Sequence, residues 1–400
     1  MPSSSRTVRF LQLSTALTGF SIAGVRAVLF NLYMLRMGYG PQSIGGVNAV
    51  TGLIFWLFSL PASTLAARWS MRRALVAAIG LMAAGLGLLP LTDSLPASWR
   101  TGWLLWTTAL VNLGQTAYFV NVTPFLMSAS DPAERHRVFS VQVAVSPLAA
   151  FIGSLVAGVL PGVSATLLGV PAADPRAYRY PLLLAALVLL PAVPAIMSSR
   201  EVPAAQAEGP VGQGGRPPYA LIAGMALAVL LRLAGRSAAI TFFNVYLDEH
   251  LHASTALIGA LAAAGQLLSV PAALLSPLVA SRWGNMRTIV WGSLGMALSM
   301  LPLALVPHPA AAGVAFVAVA ALFSITTGPI RIYSQEIVAP PWRTAMSGGA
   351  MAALGVSISA TALGGGYAIA ALGYQSLFLA AAVLTALGAL LFWAFFRRVG

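Results

Sequence analysis

Residues 198–218 read SSREVPAAQAEGPVGQGGRPP, a stretch with four Pro, four Gly, four charges and no aromatic residue. Such a composition makes a flexible linker and cannot build a packed core. On either side lie 197 and 182 residues, each an alternation of long apolar runs and short polar breaks. The expected organisation is therefore one unit at 1–197, a linker at 198–218 and a second unit at 219–400.

Outward from the linker, runs long enough to cross a bilayer, which takes roughly 20 residues, fall near 10–35, 43–66, 74–91, 101–128, 138–160 and 181–197. The pattern resumes near 219–247, 256–280, 288–306, 312–335, 344–369 and 376–396. The fold class expected is an all-α membrane protein with twelve transmembrane helices in two pseudo-symmetric six-helix bundles. Composition agrees: 58% of residues are hydrophobic and 8% charged, where soluble domains carry about a quarter charged residues.

A formal charge of +13 raises the question of nucleic acid, and the placement of the charges answers it. All 22 basic residues are Arg, gathered in alternate loops. With the amino terminus inside, the cytoplasmic side takes Arg6, Arg9, Arg68, Arg72, Arg73, Arg135, Arg137, Arg200, Arg216, Arg282, Arg287, Arg343, Arg397 and Arg398. Arg36, Arg100, Arg176 and Arg179 are left outside. Fourteen against four places both termini and the linker in the cytoplasm of an inner or plasma membrane. The basic balance is then a topology signal, and the partners expected are the lipid bilayer and a small solute, with no nucleic acid and the chain acting as a monomer. The absence of Lys removes a Walker A lysine and every Schiff-base lysine. The absence of Cys removes thiol nucleophiles and thiolate metal ligands.

The two units repeat. Ile44, Gly45, Arg68-Trp69 and Arg73 recur 214 positions later as Ile258, Gly259, Arg282-Trp283 and Arg287. Phe30-Asn31-Leu32-Tyr33 recurs 213 positions later as Phe243-Asn244-Val245-Tyr246. Several pairs within one residue of the same offset, at matching places in each series, argue for internal duplication.

Between the second and third runs, Ser63-Thr64-Leu65-Ala66-Ala67-Arg68-Trp69-Ser70-Met71-Arg72-Arg73 resembles the G-x-L-a-D-R-x-G-R-[KR] signature of the major facilitator superfamily. Ser63, Ala67 and Ser70 stand where the pattern has Gly, Asp and Gly. The second copy keeps Arg282, Gly284 and Arg287 but has Ser281 for the Asp. Glu336, seven positions before Arg343, is similar to the E-x6-R spacing of sugar-porter members, and Ser128 replaces that Glu opposite Arg135. The resemblance implies two bundles around a central cavity lined by the first, fourth, seventh and tenth spans, with alternating access by rocking. It further implies that Arg68, Arg72, Arg73, Arg135, Arg282, Arg287, Glu336 and Arg343 form a cytoplasmic gate. The position of Glu336 at the cytoplasmic end of the tenth span makes it the expected recipient of the missing Asp's role, ahead of proton carriage or no role.

Four arginines fall inside the spans: Arg26, Arg232, Arg236 and Arg331. Facing lipid at mid-bilayer, each would cost at least about 2.5–3.5 kcal/mol, so they must face protein or water. Arg26 shares a helical stripe with Gln12, Thr15, Gly19 and Tyr33; Arg331 shares one with Ser324, Thr327 and Gln335. Arg232 and Arg236 align with Phe243 and Tyr246, and the fourth span adds Asn112, Gln115 and Tyr118. Cavity candidates are thus Arg26, Tyr33, Asn112, Gln115, Tyr118, Arg232, Arg236, Phe243, Thr327 and Arg331. Each arginine also has a purely structural reading, bonded to carbonyls or reaching an interface, and for Arg331 that reading is preferred. Asn48, Gln142, Gln266 and Ser357 read as interhelical hydrogen bonders. Gly348, Gly349, Gly355 and Gly364–Gly366 read as close-packing positions.

Asp248, Glu249, His250 and His252 cluster after the seventh run and read as polar surface ahead of a metal site. No cofactor and no catalytic set is expected. All nine acids fall in loops or at helix ends, so no carboxylate is placed as a mid-membrane proton relay. The function expected is secondary transport of a small solute, with unpaired guanidiniums favouring an organic anion. The alternatives are efflux of amphipathic drugs and, from another class, a transport-dead sensor or scaffold.

Overall fold

A computed structural model describes residues 2–131, 134–199, 218–339 and 342–397. The linker therefore lies outside the described residues except at Ser198, Ser199 and Pro218, and Arg200, Arg216 and Arg398 lie outside them too. Among the described residues all regular structure is helical. In chain order it comprises α1 (Pro2–Thr18), a π-helical stretch Gly19–Arg26, α2 (Ala27–Arg36), α3 (Pro41–Trp69), α4 (Met71–Leu88) and a 3-10 turn Leu89–Ser94. Then come α5 (Ala97–Ala129), α6 (Arg135–Leu168), α7 (Arg176–Leu189), α8 (Ala192–Met197), α9 (Tyr219–Arg232), α10 (Ala234–Val245) and a π stretch Tyr246–His250. The series closes with α11 (Thr255–Trp283), α12 (Asn285–Leu305), α13 (Pro309–Glu336) and α14 (Arg343–Phe396).

Among the described residues nine helical stretches are long and apolar enough to cross a membrane. Without water in the hydrocarbon, every backbone N–H and C=O needs an internal partner, which is why such a chain resolves into long helices. Large apolar side chains such as Leu167, Val314 and Leu372 stay exposed, and Trp99, Tyr219 and Trp283 are exposed near helix ends. That is the arrangement of a lipid-facing surface with aromatic residues at its margins. The last of the nine stretches runs Ala345–Phe396, and α14 is broken inside it at Gly373 (φ 81, ψ 174). The break falls in the gap between the two final runs read from the sequence.

Two compact units emerge, with one border between Ala207 and Glu208, inside the linker, and further borders within α3 and α11. One comprises Met1–Tyr39, Leu57–Ala207 and Ser254–Ala263; the other comprises Gly40–Trp56, Glu208–Ala253 and Ala264–Gly400. Helices α3 and α11 are each divided between units. Within the first unit, the start of α11 lies on α6 so closely that a Cβ on Gly259 would stand 2.6 Å from the Gly158 Cα. Within the second, the start of α3 lies on α14: Ser359 Oγ donates to the Ala49 carbonyl at 2.8 Å. Small residues at such crossings let backbones approach where no hydrophobic effect drives helices together. Gly355 and Gly366 make approaches of this kind, whereas Gly348 and Gly364 face open space.

Candidate functional site

In the first unit the polar face begins on α1. Ser14 and Thr15 each lie within hydrogen-bond distance of the Tyr118 hydroxyl, at 2.8 and 2.9 Å, and Gln142 Nε2 donates to Thr15 Oγ1 at 2.7 Å. The network joins α1, α5 and α6, so Gln142 is the interhelical bonder its sequence position suggested. One turn further the helix widens into the π stretch Gly19–Arg26, whose last residue is Arg26. Stretches of this kind are rare and frequent at functional sites, because the inserted residue re-aims the side chains after it. The Arg26 guanidinium lies over the Phe30 ring at 4.8 Å, and one of its terminal nitrogens is buried without a hydrogen-bond partner among the described residues. Ser21 Oγ, Ser154 Oγ and Gln142 Oε1 are likewise buried without partners. Native interiors rarely leave such groups unpaired, so each of them is a place where water or a solute atom can bond.

In the second unit the seventh run is interrupted at Leu233, between α9 and α10 and between the two arginines. Arg232 is 3% exposed, and its Nη1 donates to Thr326 Oγ1 at 3.1 Å while Nε has no partner among the described residues. Arg236 is half-buried with its guanidinium 3.7 Å from the Phe323 ring centroid. Among the described residues no carboxylate forms a salt bridge with Arg26, Arg232 or Arg236. Aromatic faces and one hydroxyl neighbour these cations, which leaves their charge to be met by something else.

The remaining cavity candidates divide. Phe243 is buried and stacks on Phe316 at 4.1 Å, and Thr327 Oγ1 donates to the Phe323 carbonyl of its own helix at 2.7 Å. Asn112 is buried and donates to the Thr108 carbonyl at 2.8 Å; Gln115 is half-buried on the same helix. The Tyr33 hydroxyl accepts from the Asp93 N–H at 3.2 Å and donates to the Pro90 carbonyl at 3.3 Å, so it anchors the Leu89–Ser94 turn. Arg331 is exposed.

At the gate, the Arg68 side chain lies outside the described residues. Arg72 donates to the carbonyls of Met197 and Ser199 at 3.4 and 3.3 Å, and the Arg73 N–H is capped by Ser70 Oγ at 3.3 Å. Arg135 carries a buried Nε without a partner among the described residues, and Ser128, in the place of a glutamate, donates its hydroxyl to the Pro124 carbonyl. Glu336 accepts from Asn285 Nδ2 at 3.5 Å and forms no salt bridge among the described residues. Arg343 instead donates to the Gln335 carbonyl at 3.3 Å, and Arg282 and Arg287 are exposed.

Phe30 was within reach of sequence reasoning, since it stands one turn after Arg26. Thr326, Phe323 and Ser14 were not, because each meets its partner across the fold. The same holds for Tyr374, whose hydroxyl donates to Glu249 and whose ring lies 5.7 Å from His250. The acidic and histidine cluster is thereby tied to an aromatic group and is more than loose surface. Among the described residues no group of His, Asp and Glu could hold a metal.

The family model of the Major Facilitator Superfamily matches residues 11–348 and 225–399. Among solved structures, a mutant form of the nucleoside transporter NupG superposes with TM-score 0.75 at 15% identity, covering 98% of this chain and 99% of that one. A bacterial homolog of the human lysosomal transporter Spinster, inward-facing and occupied, gives 0.74 at 14%, covering 99% and 97%, and its unoccupied form 0.68 at 13%, covering 100% and 96%. No curated protein matches the chain. The chain belongs to the Major Facilitator Superfamily, whose members are secondary-active, alternating-access transporters of small molecules and not enzymes.

Proposed function

We propose that this protein carries a small organic anion, such as a carboxylate or phosphate ester, with Arg26 and Arg236 as the residues that bind it. The observation that carries the reading is that both guanidiniums lie inside spans beside aromatic rings at 4.8 and 3.7 Å and have no carboxylate partner among the described residues. A guanidinium fork matches a carboxylate or phosphate bidentately, and charge-assisted bonds of that type are the strong ones. An anion held by a guanidinium from each sequence repeat is bound best in one state, which couples binding to closure.

The proposed topology is twelve spans in two six-helix bundles, residues 1–197 and 219–400, with both termini in the cytoplasm of an inner or plasma membrane. Nine described stretches, the 29-residue α3, the 33-residue α5 and the break at Gly373 inside the last stretch support that number. The arginines of the α3–α4 and α11–α12 connections, with Arg135, Glu336 and Arg343, serve as the cytoplasmic gate. Glu336 pairs with one of them in the state where that gate is shut. Coupling is by exchange, uniport or a proton carried on the solute, since no acid stands at mid-span.

The test is binding of a panel of organic anions, neutral solutes and amphipathic cations to purified protein, followed by flux in proteoliposomes. Arg26→Gln and Arg236→Gln each abolish anion binding, and the Lys variants restore it in part, because Lys keeps the charge and loses the fork. If both Gln variants bind and carry a neutral or cationic solute like the parent, the anion reading fails and drug efflux takes its place. Absence of flux with every ligand, beside a stable protein partner, favours the scaffold.

A further inference from the structure

All four arginines assigned to the outer side by the sequence gather around one pocket of the first unit. Arg36 from the end of α2, Arg100 from the start of α5, and Arg176 and Arg179 from the start of α7 line it together with Asp93 and Asp174. The volume is about 380 Å³. Of these arginines, Arg100 and Arg179 form no salt bridge among the described residues.

The carboxylates are already engaged. Asp174 takes a bidentate contact from Arg176, at 3.1 Å from Nε and 2.9 Å from Nη2, and Asp93 Oδ1 accepts from the Ser94 hydroxyl at 3.3 Å. Arg100 and Arg179 are steered into the pocket by neutral acceptors. Arg100 donates to the carbonyls of Leu95 and Asp93 at 2.9 and 3.2 Å, and Arg179 to Ser94 Oγ at 3.4 Å. The floor of the pocket is rigid: the Leu89–Ser94 turn is pinned from below by the fully buried Tyr33. The Arg36 Nε donates to the Tyr178 hydroxyl at 3.2 Å, and Tyr178 is itself buried.

Arg100 and Arg179 bring two positive charges to one small pocket, and within the Debye length of about 8 Å at physiological salt solvent ions screen their repulsion only in part. An occupant with several oxygens and two negative charges removes that cost and matches the guanidinium forks. We propose that this pocket binds a phosphate group, either free inorganic phosphate or the headgroup of an anionic lipid, at a site separate from Arg26 and Arg236. Beside it, the Tyr178 hydroxyl also lies 3.2 Å from Thr255 Oγ1, at the start of α11. Occupancy therefore bears on the segment Ser254–Ala263 through Arg36 and Tyr178.

The experiment measures the thermal midpoint of the full chain in nanodiscs, titrated with inorganic phosphate, for the parent, the double variant Arg100→Gln/Arg179→Gln and Arg236→Gln. In phosphatidylcholine discs phosphate is expected to raise the midpoint of the parent and of Arg236→Gln. The outer double variant should bind at least about tenfold more weakly, equivalent to about 1.4 kcal/mol. If free phosphate does nothing but equimolar phosphatidylglycerol raises the midpoint of the parent and not of the double variant, the headgroup is the source and the proposal stands. An affinity in the outer double variant equal to the parent's, a response lost only in Arg236→Gln, or no response to either ligand overturns it. Should the Gln pair misfold, Arg100→Lys/Arg179→Lys decides in its place: it keeps the charge and loses the forks, so an affinity equal to the parent's also overturns the proposal.

Discussion

Arg232 is a cation held almost out of contact with solvent by a single threonine hydroxyl, with one nitrogen unpaired. Thr326→Val removes that acceptor and leaves the guanidinium buried with less, so it should destabilise the protein by about 1–3 kcal/mol in denaturant unfolding. Arg232→Met removes the charge along with the need to solvate it and should leave stability unchanged or raised, as replacement of buried ionic groups by apolar ones often does. A loss larger for Met than for Val would show that the charge itself holds the helices together. Ser70 offers a second case: it adopts φ 138, while its repeat-mate Gly284 sits at φ 79. Backbone in that region strains a residue with a Cβ by about 1–3 kcal/mol, more than the cap that Ser70 Oγ offers through one long bond to the Arg73 N–H. Ser70→Gly is therefore expected to stabilise and Gly284→Ala to destabilise, each read from the unfolding midpoint. Asp174 gives a pH signature, since the Arg176 guanidinium hydrogen-bonded to it holds its carboxyl below the usual range. A depressed carboxylate contributes above its ordinary pKa of about 3.9 and loses that contribution as pH falls through the lower folded value. Asp174→Asn should then leave the pH 5–8 plateau flat and reduce the acid dependence only below about pH 4. The intramembrane arginines themselves were legible because a charge in an apolar run is conspicuous. Their partners Phe323 and Thr326 were not, because nothing along the chain sets them apart from other residues of a long apolar helix.

At the scale of elements, hydropathy located the runs well and the breaks inside them poorly. The π stretch that ends at Arg26 leaves no mark in the sequence, since one inserted residue changes neither composition nor length enough to register. Its packing on α6 is tight: a Cβ on Gly153 would lie 2.3 Å from the Phe20 carbonyl oxygen. Gly153→Leu must push two backbones apart and should cost at least about 1–3 kcal/mol. Gly162→Ala on the same helix meets nothing within 4 Å and should gain about 0.5–1 kcal/mol from helix propensity. Equal effects of the two would mean that the crossing is looser than these contacts require. The break at Gly373 was foreshadowed by the gap between the last two runs, because a glycine at positive φ ends a helix without strain. Tyr374, one residue later, carries the hydroxyl that satisfies Glu249. Tyr374→Phe leaves that carboxylate short of a donor and should cost about 1.5–3 kcal/mol, read in the same unfolding assay.

For the whole molecule, duplication was legible from paired motifs such as Phe30-Asn31 and Phe243-Asn244, and it pointed to two similar units. The border in the linker was legible, and those inside α3 and α11 were not, because which part of a long helix packs with which neighbour depends on crossings that a single chain's hydropathy does not encode. The compact units take residues 40–56 and 254–263 from beyond the borders that the linker suggested. This has a consequence for how the protein comes into being. The first unit is incomplete until Ala263 has been synthesised, by which time the second has already contributed Gly40–Trp56 to the nascent chain. A gene split at the linker would separate Ser254–Ala263 from the rest of the first unit and Gly40–Trp56 from the rest of the second. Such fragments should be degraded when made singly and persist when made together in one membrane, an outcome that pulse-chase labelling of the two halves would reveal.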